Sequence, residues 1–114
     1  MKKLIFLILI LINLSCNAQK QQTLDFIKNE SVGGQLDFSK IVERDYSKAP
    51  FIRFGDILYN KKDFGILMWG AKVKSLGIDS LEEVEKLWEE INNRALTEPE
   101  KRALKIGFEA KIEN

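Results

Sequence analysis

The side chains that most often perform acid–base and metal chemistry are scarce in this chain of 114 residues. It contains no histidine, and Cys16 is its only cysteine. A serine–histidine triad, a cysteine–histidine dyad and a two-histidine metal motif are therefore excluded. An intramolecular disulfide and a thiolate zinc cage are excluded for the same reason. Any catalysis within this chain has to use Asp, Glu, Lys or Tyr.

Carboxylates are the remaining candidates for chemistry. Glu82, Glu85 and Glu89 share one face of a predicted helix, and such a face can bind a hard cation such as calcium. The spacing lacks a calcium-binding loop, so we interpret the face as solvated. Paired carboxylates also cleave glycosides, but they need a deep cleft, and the spacing singles out no pair. We predict no catalytic residue, no cofactor and no metal site; a small carboxylate-dependent envelope hydrolase is the alternative.

The first residues have the composition of a secretory signal. Lys2 and Lys3 precede an apolar run from Leu4 to Ile12, which has no charge, Gly or Pro. As a helix this run is about 14 Å long, roughly half the thickness of a bilayer core. Its length therefore favours a cleaved signal over an uncleaved membrane anchor.

The residues after this run indicate the type of signal. Asn13-Leu14-Ser15-Cys16 resembles the lipobox of bacterial lipoproteins, although Asn13 and Leu14 depart from the usual residues. The resemblance implies cleavage before Cys16 and a diacylglycerol on its sulfur, which places the protein on a membrane of the cell envelope. The alternative is cleavage after Ala18, which gives a soluble periplasmic or secreted protein. We predict a signal peptide at 1–15, a lipid-anchored polar tether at 16–22 and a domain at 23–114.

The charge of the predicted mature protein is close to zero. Cleavage before Cys16 leaves 99 residues with 16 basic and 17 acidic side chains. A near-neutral chain gives no support for a nucleic-acid partner. Its length suits one domain that buries roughly 60–65% of its unfolded surface.

The C-terminal third has the clearest helical signals. Ser80 and Glu83 form one predicted capping box, and Thr97 and Glu100 form another. A single apolar stripe follows the first box: Leu81, Val84, Leu87, Trp88, Ile91 and Ala95. Apolar residues at i+4 steps follow the second: Leu104, Phe108 and Ile112, with Gly107 permitting close approach. The two helices are predicted to form an antiparallel αα-hairpin, with Glu82/Lys86 and Glu90/Arg94 as ion pairs on the first.

The middle of the chain is less definite. Asp37 or Ser39 is predicted to cap a short helix that ends near Tyr46. A longer helix is predicted from Phe64 to Leu76, with Asp63 as N-cap and Gly77 as a left-handed stop. Because its residues are apolar all round, we expect it at the centre of the fold or at an interface. Residues 23–30 and 51–71 remain open between helix and strand, the strand alternatives lying at Phe51–Phe54 and Ile66–Trp69.

These patterns predict a mostly α, single-domain fold whose function is to bind another protein. Lys40 to Lys74 holds eight basic and four acidic residues, interspersed with aromatics. Aromatic side chains dominate many interfaces, and Trp69 is the preferred anchor because its helix is apolar on every side. The candidate interface is Phe51, Phe54, Tyr59, Lys61, Lys62 and Trp69. An inhibitor, an immunity-type protector and an assembly accessory all fit this prediction; a structural or lipid-binding envelope component is a further alternative.

Overall fold

The computed structural model describes residues 18–110, and within them the fold is mostly helical with one small antiparallel sheet. The predicted mostly α, single-domain fold is therefore confirmed. Residues 18–30 are helical and are called α1. The other elements, in chain order, are α2 (Phe38–Asp45), β1 (Ile52–Phe54), β2 (Ile57–Tyr59), α3 (Lys61–Ser75), α4 (Leu81–Asn92) and α5 (Glu98–Glu109). The predicted signal peptide at 1–15, Cys16 and Ile112 lie outside the described residues.

The helix α3 occupies the centre of the fold, as its apolar composition predicts, and packs against α2 and α5. It begins at Lys61 rather than at Phe64. The side chain of Asn60, not that of Asp63, is its N-cap and accepts a hydrogen bond from the Asp63 amide at 2.7 Å. Gly77 follows the helix with φ of 108°, which confirms the predicted left-handed stop. The strand alternative at Ile66–Trp69 is excluded.

The helices α3 and α5 run parallel and approach each other at two glycines, Gly70 of α3 and Gly107 of α5. Near their starts Lys62 pairs with Glu100, and near their ends the Lys74 ammonium lies over the ring of Phe108. A methyl group at Gly107 would overlap the backbone of Leu67 in α3. The predicted close approach at Gly107 is thus confirmed, but the helix that approaches is α3 rather than α4.

In chain order α4 lies between α3 and α5, and it runs in the opposite direction to both. The chain therefore reverses direction between α4 and α5, as predicted. Most of the α5 interface is nevertheless with α3. Ser80 caps α4, accepting from the Glu83 amide at 3.3 Å, whereas the Glu83 carboxylate lies 3.1 Å from the Lys20 ammonium instead of closing the box. The helix ends at Asn92 because Asn93 adopts a left-handed φ of 52°. Ala95, placed on the stripe by the sequence, therefore lies beyond the helix and is exposed.

Two other capping predictions are confirmed. The Asp37 side chain caps α2, and Thr97 and Glu100 form a complete capping box at the start of α5. The helix α1 covers 23–30 and also 18–22, which belong to the predicted tether at 16–22. Its side chains pair with α4, since Lys28 lies 2.9 Å from Glu90.

Residues 52–59 form a β-hairpin, so the strand alternative holds for this part of the chain. Phe54 pairs with Ile57 across a turn that contains Gly55 at φ of 62°. A positive φ is unfavourable for most residues but costs glycine little, and this favours a tight turn over continued helix. Ile52 pairs with Tyr59 and both are buried, which fixes the hairpin against the core.

Candidate functional site

The preferred interface residue, Trp69, is part of the hydrophobic core. Only 5% of its surface is exposed, and its indole Nε1 donates a hydrogen bond to Ser31 Oγ at 2.9 Å. Tyr59 is also buried, and burial followed by the nearby Asp63 carboxylate raises the pKa of its phenol. Trp69 therefore offers almost no surface to a partner, and Tyr59 contributes only to the lining of the groove beside the hairpin. Their role in an interface stays a prediction.

The two lysines of the predicted interface hold local structure. The Lys61 ammonium donates to the Ser47 carbonyl oxygen at 2.9 Å. The Lys62 ammonium lies 3.2 Å from the Glu100 carboxylate. Phe54 is half-buried, whereas Phe51 is 59% exposed. The sequence-predicted residues therefore do not form one surface, and Phe51 is the one apolar member that solvent reaches freely.

An apolar surface does exist beside the hairpin, on residues that the predicted interface did not include. Ile57 and Leu58 are 49% and 57% exposed, and Ile106 of α5 is 36% exposed. They border a groove of about 470 Å³ between β2 and α5, which we call the hairpin groove. Its lining consists of Ile57, Leu58, Tyr59, Asp63, Pro99, Arg102, Lys105, Ile106 and Glu109.

The pairing of the strands explains this exposure. Side chains alternate between the two faces of a strand, so Leu58 points outward with its partner Arg53 while Tyr59 and Ile52 point inward. Ile57 lies next to the turn, where less of the core remains to cover it. In the sequence, Gly55 was the available signal of this hairpin. After a tight turn into a strand, side chains alternate every two residues instead of following the helical period of 3.6 residues.

The charges around the hairpin groove are unevenly neutralised. Arg102 and Lys105 lie on the groove side of α5, and neither makes an ion pair within residues 18–110. Asp63 is half-buried, and burial, followed by repulsion from Glu100, raises the pKa of its carboxyl. Glu109 lies at the other end of the groove lining. The lining therefore carries two cations on α5, Arg102 and Lys105, between the carboxylates of Asp63 and Glu109.

A buried ion-pair cluster lies at the opposite side of the α5 N-terminus. Glu100 is 1% exposed and accepts hydrogen bonds from two guanidinium nitrogens of Arg94, at 2.8 and 2.7 Å. The Thr97 amide also donates to it, at 2.9 Å. These donors, with Lys62, hold the pKa of the Glu100 carboxyl well below its usual value. The predicted Glu90–Arg94 pair is therefore wrong: Arg94 binds Glu100, and Glu90 binds Lys28.

The carboxylates considered for metal binding have separate roles. Glu82 pairs with Lys86 at 3.2 Å, as predicted. Glu89 instead accepts a hydrogen bond from the Leu96 amide at 2.7 Å and thereby fastens the loop before α5. Across residues 18–110, no three potential ligand side chains lie together in a way that could hold a metal ion.

A second, smaller cleft lies between the α1–α2 connection and α3, with a volume of about 200 Å³. Trp69 and Trp88 form part of its wall, and Lys62 and Arg94 lie at its polar side. Both cations already bind Glu100, and the Arg94 guanidinium lies 4.7 Å from the centre of the Trp88 ring. These contacts hold α3, α4 and α5 together, so we assign them to the stability of the fold.

Comparison of the chain with models of known protein families, with curated proteins and with solved structures finds no match in any of the three. No helix in the part of the chain that the structure describes is both long and apolar enough to cross a membrane. The functional argument therefore rests on the hairpin groove.

Proposed function

We propose that this chain is a small lipid-anchored protein of the bacterial cell envelope that binds another protein and catalyses no reaction. The roles that fit are an inhibitor, an immunity-type protector or an assembly accessory. The observation that carries the binding proposal is the exposure of Ile57 and Leu58 on adjacent positions of β2, beside Ile106 of α5. The anchor is proposed from Cys16 and the residues before it.

The energetic argument is that exposed apolar surface favours burial by a partner. Removing apolar surface from water contributes about 25 cal/mol for each Å². Three exposed aliphatic side chains, Ile57, Leu58 and Ile106, lie together along one groove. Contiguous apolar surface with a charged rim is typical of sites that bind proteins. A groove between a strand and a helix also gives a partner backbone groups and side chains to contact.

Site-specific photo-crosslinking in intact cells tests the binding proposal. A photoreactive amino acid replaces Leu58 in the full chain, and the matched control carries it at Val32, which is 66% exposed on the α1–α2 connection. We expect one envelope protein to be crosslinked from position 58 and not from position 32. Adding Ile57→Asp should remove that product, since a charge in the groove opposes apolar docking. Equal products from both positions, or products between copies of this chain alone, would contradict the proposal.

The anchor is tested separately by cell fractionation and intact-mass measurement. Cys16→Ala should move the protein from the membrane fraction to the soluble fraction, because two or three acyl chains are needed for stable attachment. The unaltered protein should begin at Cys16 and carry added lipid mass. A mature protein that begins at Gln19, or one that keeps Met1 without lipid, would refute the anchor.

A further inference from the structure

We propose that the hairpin groove receives an extended segment of the partner protein, which pairs with the outer edge of β2 and directs an acidic side chain at Arg102 and Lys105. This inference rests on the proposed protein-binding function and specifies how the partner is recognised. It predicts recognition by strand addition, in which backbone hydrogen bonds provide affinity and side-chain pockets provide selectivity.

The backbone of β2 supplies the first argument. Within residues 18–110 the sheet has two strands, so β2 pairs with β1 along one edge only. The groove lining contains all three β2 residues and none from β1, which places the groove on the unpaired side of β2. An extended segment in the groove can therefore pair with this edge over about 10 Å, the length of three strand residues.

The charges supply the second argument. Arg102 and Lys105 are one helical turn apart on α5, face the groove and have no ion pair within the described chain. Asp63 in the same lining attracts Arg102 and so offsets part of its charge, whereas no carboxylate of the described chain forms an ion pair with Lys105. An Asp or Glu near the centre of the bound segment would meet both cations through charge-assisted hydrogen bonds.

The position of the groove favours a protein partner over a lipid surface. Gln19, Lys20 and Thr23 of α1 lie beside Leu76–Asp79, at the C-terminal end of α3. Tyr59 leads into the other end of α3, about 22 Å away for a helix of this length. An anchor before the start of the described chain would therefore attach toward the end of α3 that lies away from the root of β2.

Hydrogen exchange of the full lipidated chain in detergent, measured by mass spectrometry, tests the inference. The probes are two synthetic nonapeptides of alternating Val and Thr, one with a central Asp and the other with a central Lys. We expect the Asp peptide to slow exchange in segment 52–60 and to bind about tenfold more tightly than the Lys peptide. Arg102→Glu should reverse this preference, whereas the control Lys72→Glu, at an exposed lysine outside the groove lining, should preserve it.

Several outcomes would overturn the inference. Two of them concern the peptides: neither peptide slows exchange in segment 52–60, or both bind with equal affinity. In the other two, exchange in this segment slows with rising protein concentration alone, or with anionic vesicles instead of with peptide. The crosslinking experiment separates the two proposals. A partner crosslinked from position 58 without peptide protection of β2 would reject strand addition and keep protein binding. Loss of both results would reject the proposed function itself.

Discussion

Replacing Glu100 by glutamine should destabilise the protein although glutamine has nearly the same size. The Glu100 side chain is 1% exposed and accepts two hydrogen bonds from Arg94 and one from the Thr97 amide. Lys62 adds a contact at 3.2 Å. Glutamine can still accept from Thr97, but it has no negative charge, and its amide N–H groups would face the N–H groups of Arg94.

The magnitude follows from these contacts. Breaking a buried ion pair by removal of one partner costs about 3–5 kcal/mol. The side chains of Arg94 and Lys62 are 42% and 62% exposed, so water continues to solvate their charges after the substitution. We therefore expect Glu100→Gln to lower the free energy of unfolding by about 2–3 kcal/mol at pH 7. The control Glu98→Gln removes an exposed acid that lies 4.0 Å from Lys101, and it should change stability by less than about 0.5 kcal/mol.

Urea unfolding followed by far-ultraviolet circular dichroism measures both variants. The midpoint for Glu100→Gln should fall while the slope of the unfolding free energy stays constant. The pKa of the folded Glu100 carboxyl is lowered from its ordinary value of 4.5. Its contribution is therefore present above that value and is lost as the pH falls through the folded pKa. The difference between wild type and variant should therefore shrink as the pH falls below 4.5, by at most about 1.4 kcal/mol for each pH unit.

Two results would refute this reasoning. One is a Glu100→Gln variant as stable as Glu98→Gln at pH 7, which would mean that the ion-pair cluster contributes nothing net. The other is a stability difference that stays constant from pH 7 into the acid range. A constant difference would assign the effect to altered packing rather than to the charge.

Three further substitutions test the packing and the helix ends by urea or thermal unfolding. Gly107→Ala should destabilise by about 3 kcal/mol or more, because its methyl group would overlap the Leu67 backbone and this outweighs a helix-propensity gain of about 1 kcal/mol. Trp69→Phe should cost about 1–2 kcal/mol, since phenylalanine keeps an aromatic ring but cannot donate to Ser31. Thr97→Ala should cost about 1 kcal/mol through loss of the capping box of α5.

Each of these substitutions has a matched control on the same element. The substitution Lys105→Ala alters an exposed position of α5. A Gly107→Ala variant as stable as Lys105→Ala would contradict the close approach of α3 and α5. Met68→Leu, next to Trp69 and nearly equal in volume, should stay within about 1.5 kcal/mol of wild type. Glu98→Ala removes an exposed side chain one position after Thr97; an equal loss in both would show that the cap contributes nothing specific.

The features that sequence reasoning predicted correctly are those set by local chemistry. Asp37, Ser80 and Thr97 cap helices because a short polar side chain reaches amides only two or three residues ahead. Gly77 ends α3 because the left-handed conformation favours glycine. The central position of α3 follows from the absence of a polar face. Each of these depends on a few consecutive residues, so the sequence alone is sufficient.

The candidate site was predicted less well because exposure depends on neighbours distant in sequence. Trp69 and Leu58 both stand in apolar surroundings along the chain, yet the tryptophan is 5% and the leucine 57% exposed. Residues 52–59 fit a helical stripe nearly as well as two strands, and the tight turn at Gly55 decided between them. Only the position of the hairpin against α5 then created the groove.

The sequence by itself determined the helical class, three of the helix caps and the absence of histidine- and disulfide-based chemistry, because these follow from composition and from contacts within one turn. Only the tertiary structure decided which charges pair and which apolar side chains stay in water. Arg94 binds Glu100 at the start of α5 rather than Glu90 of α4, because α4 ends at Asn92 and Arg94 lies beyond it. Ile57 and Leu58 remain exposed because the strand register turns Leu58 outward and leaves Ile57 at the edge of the core.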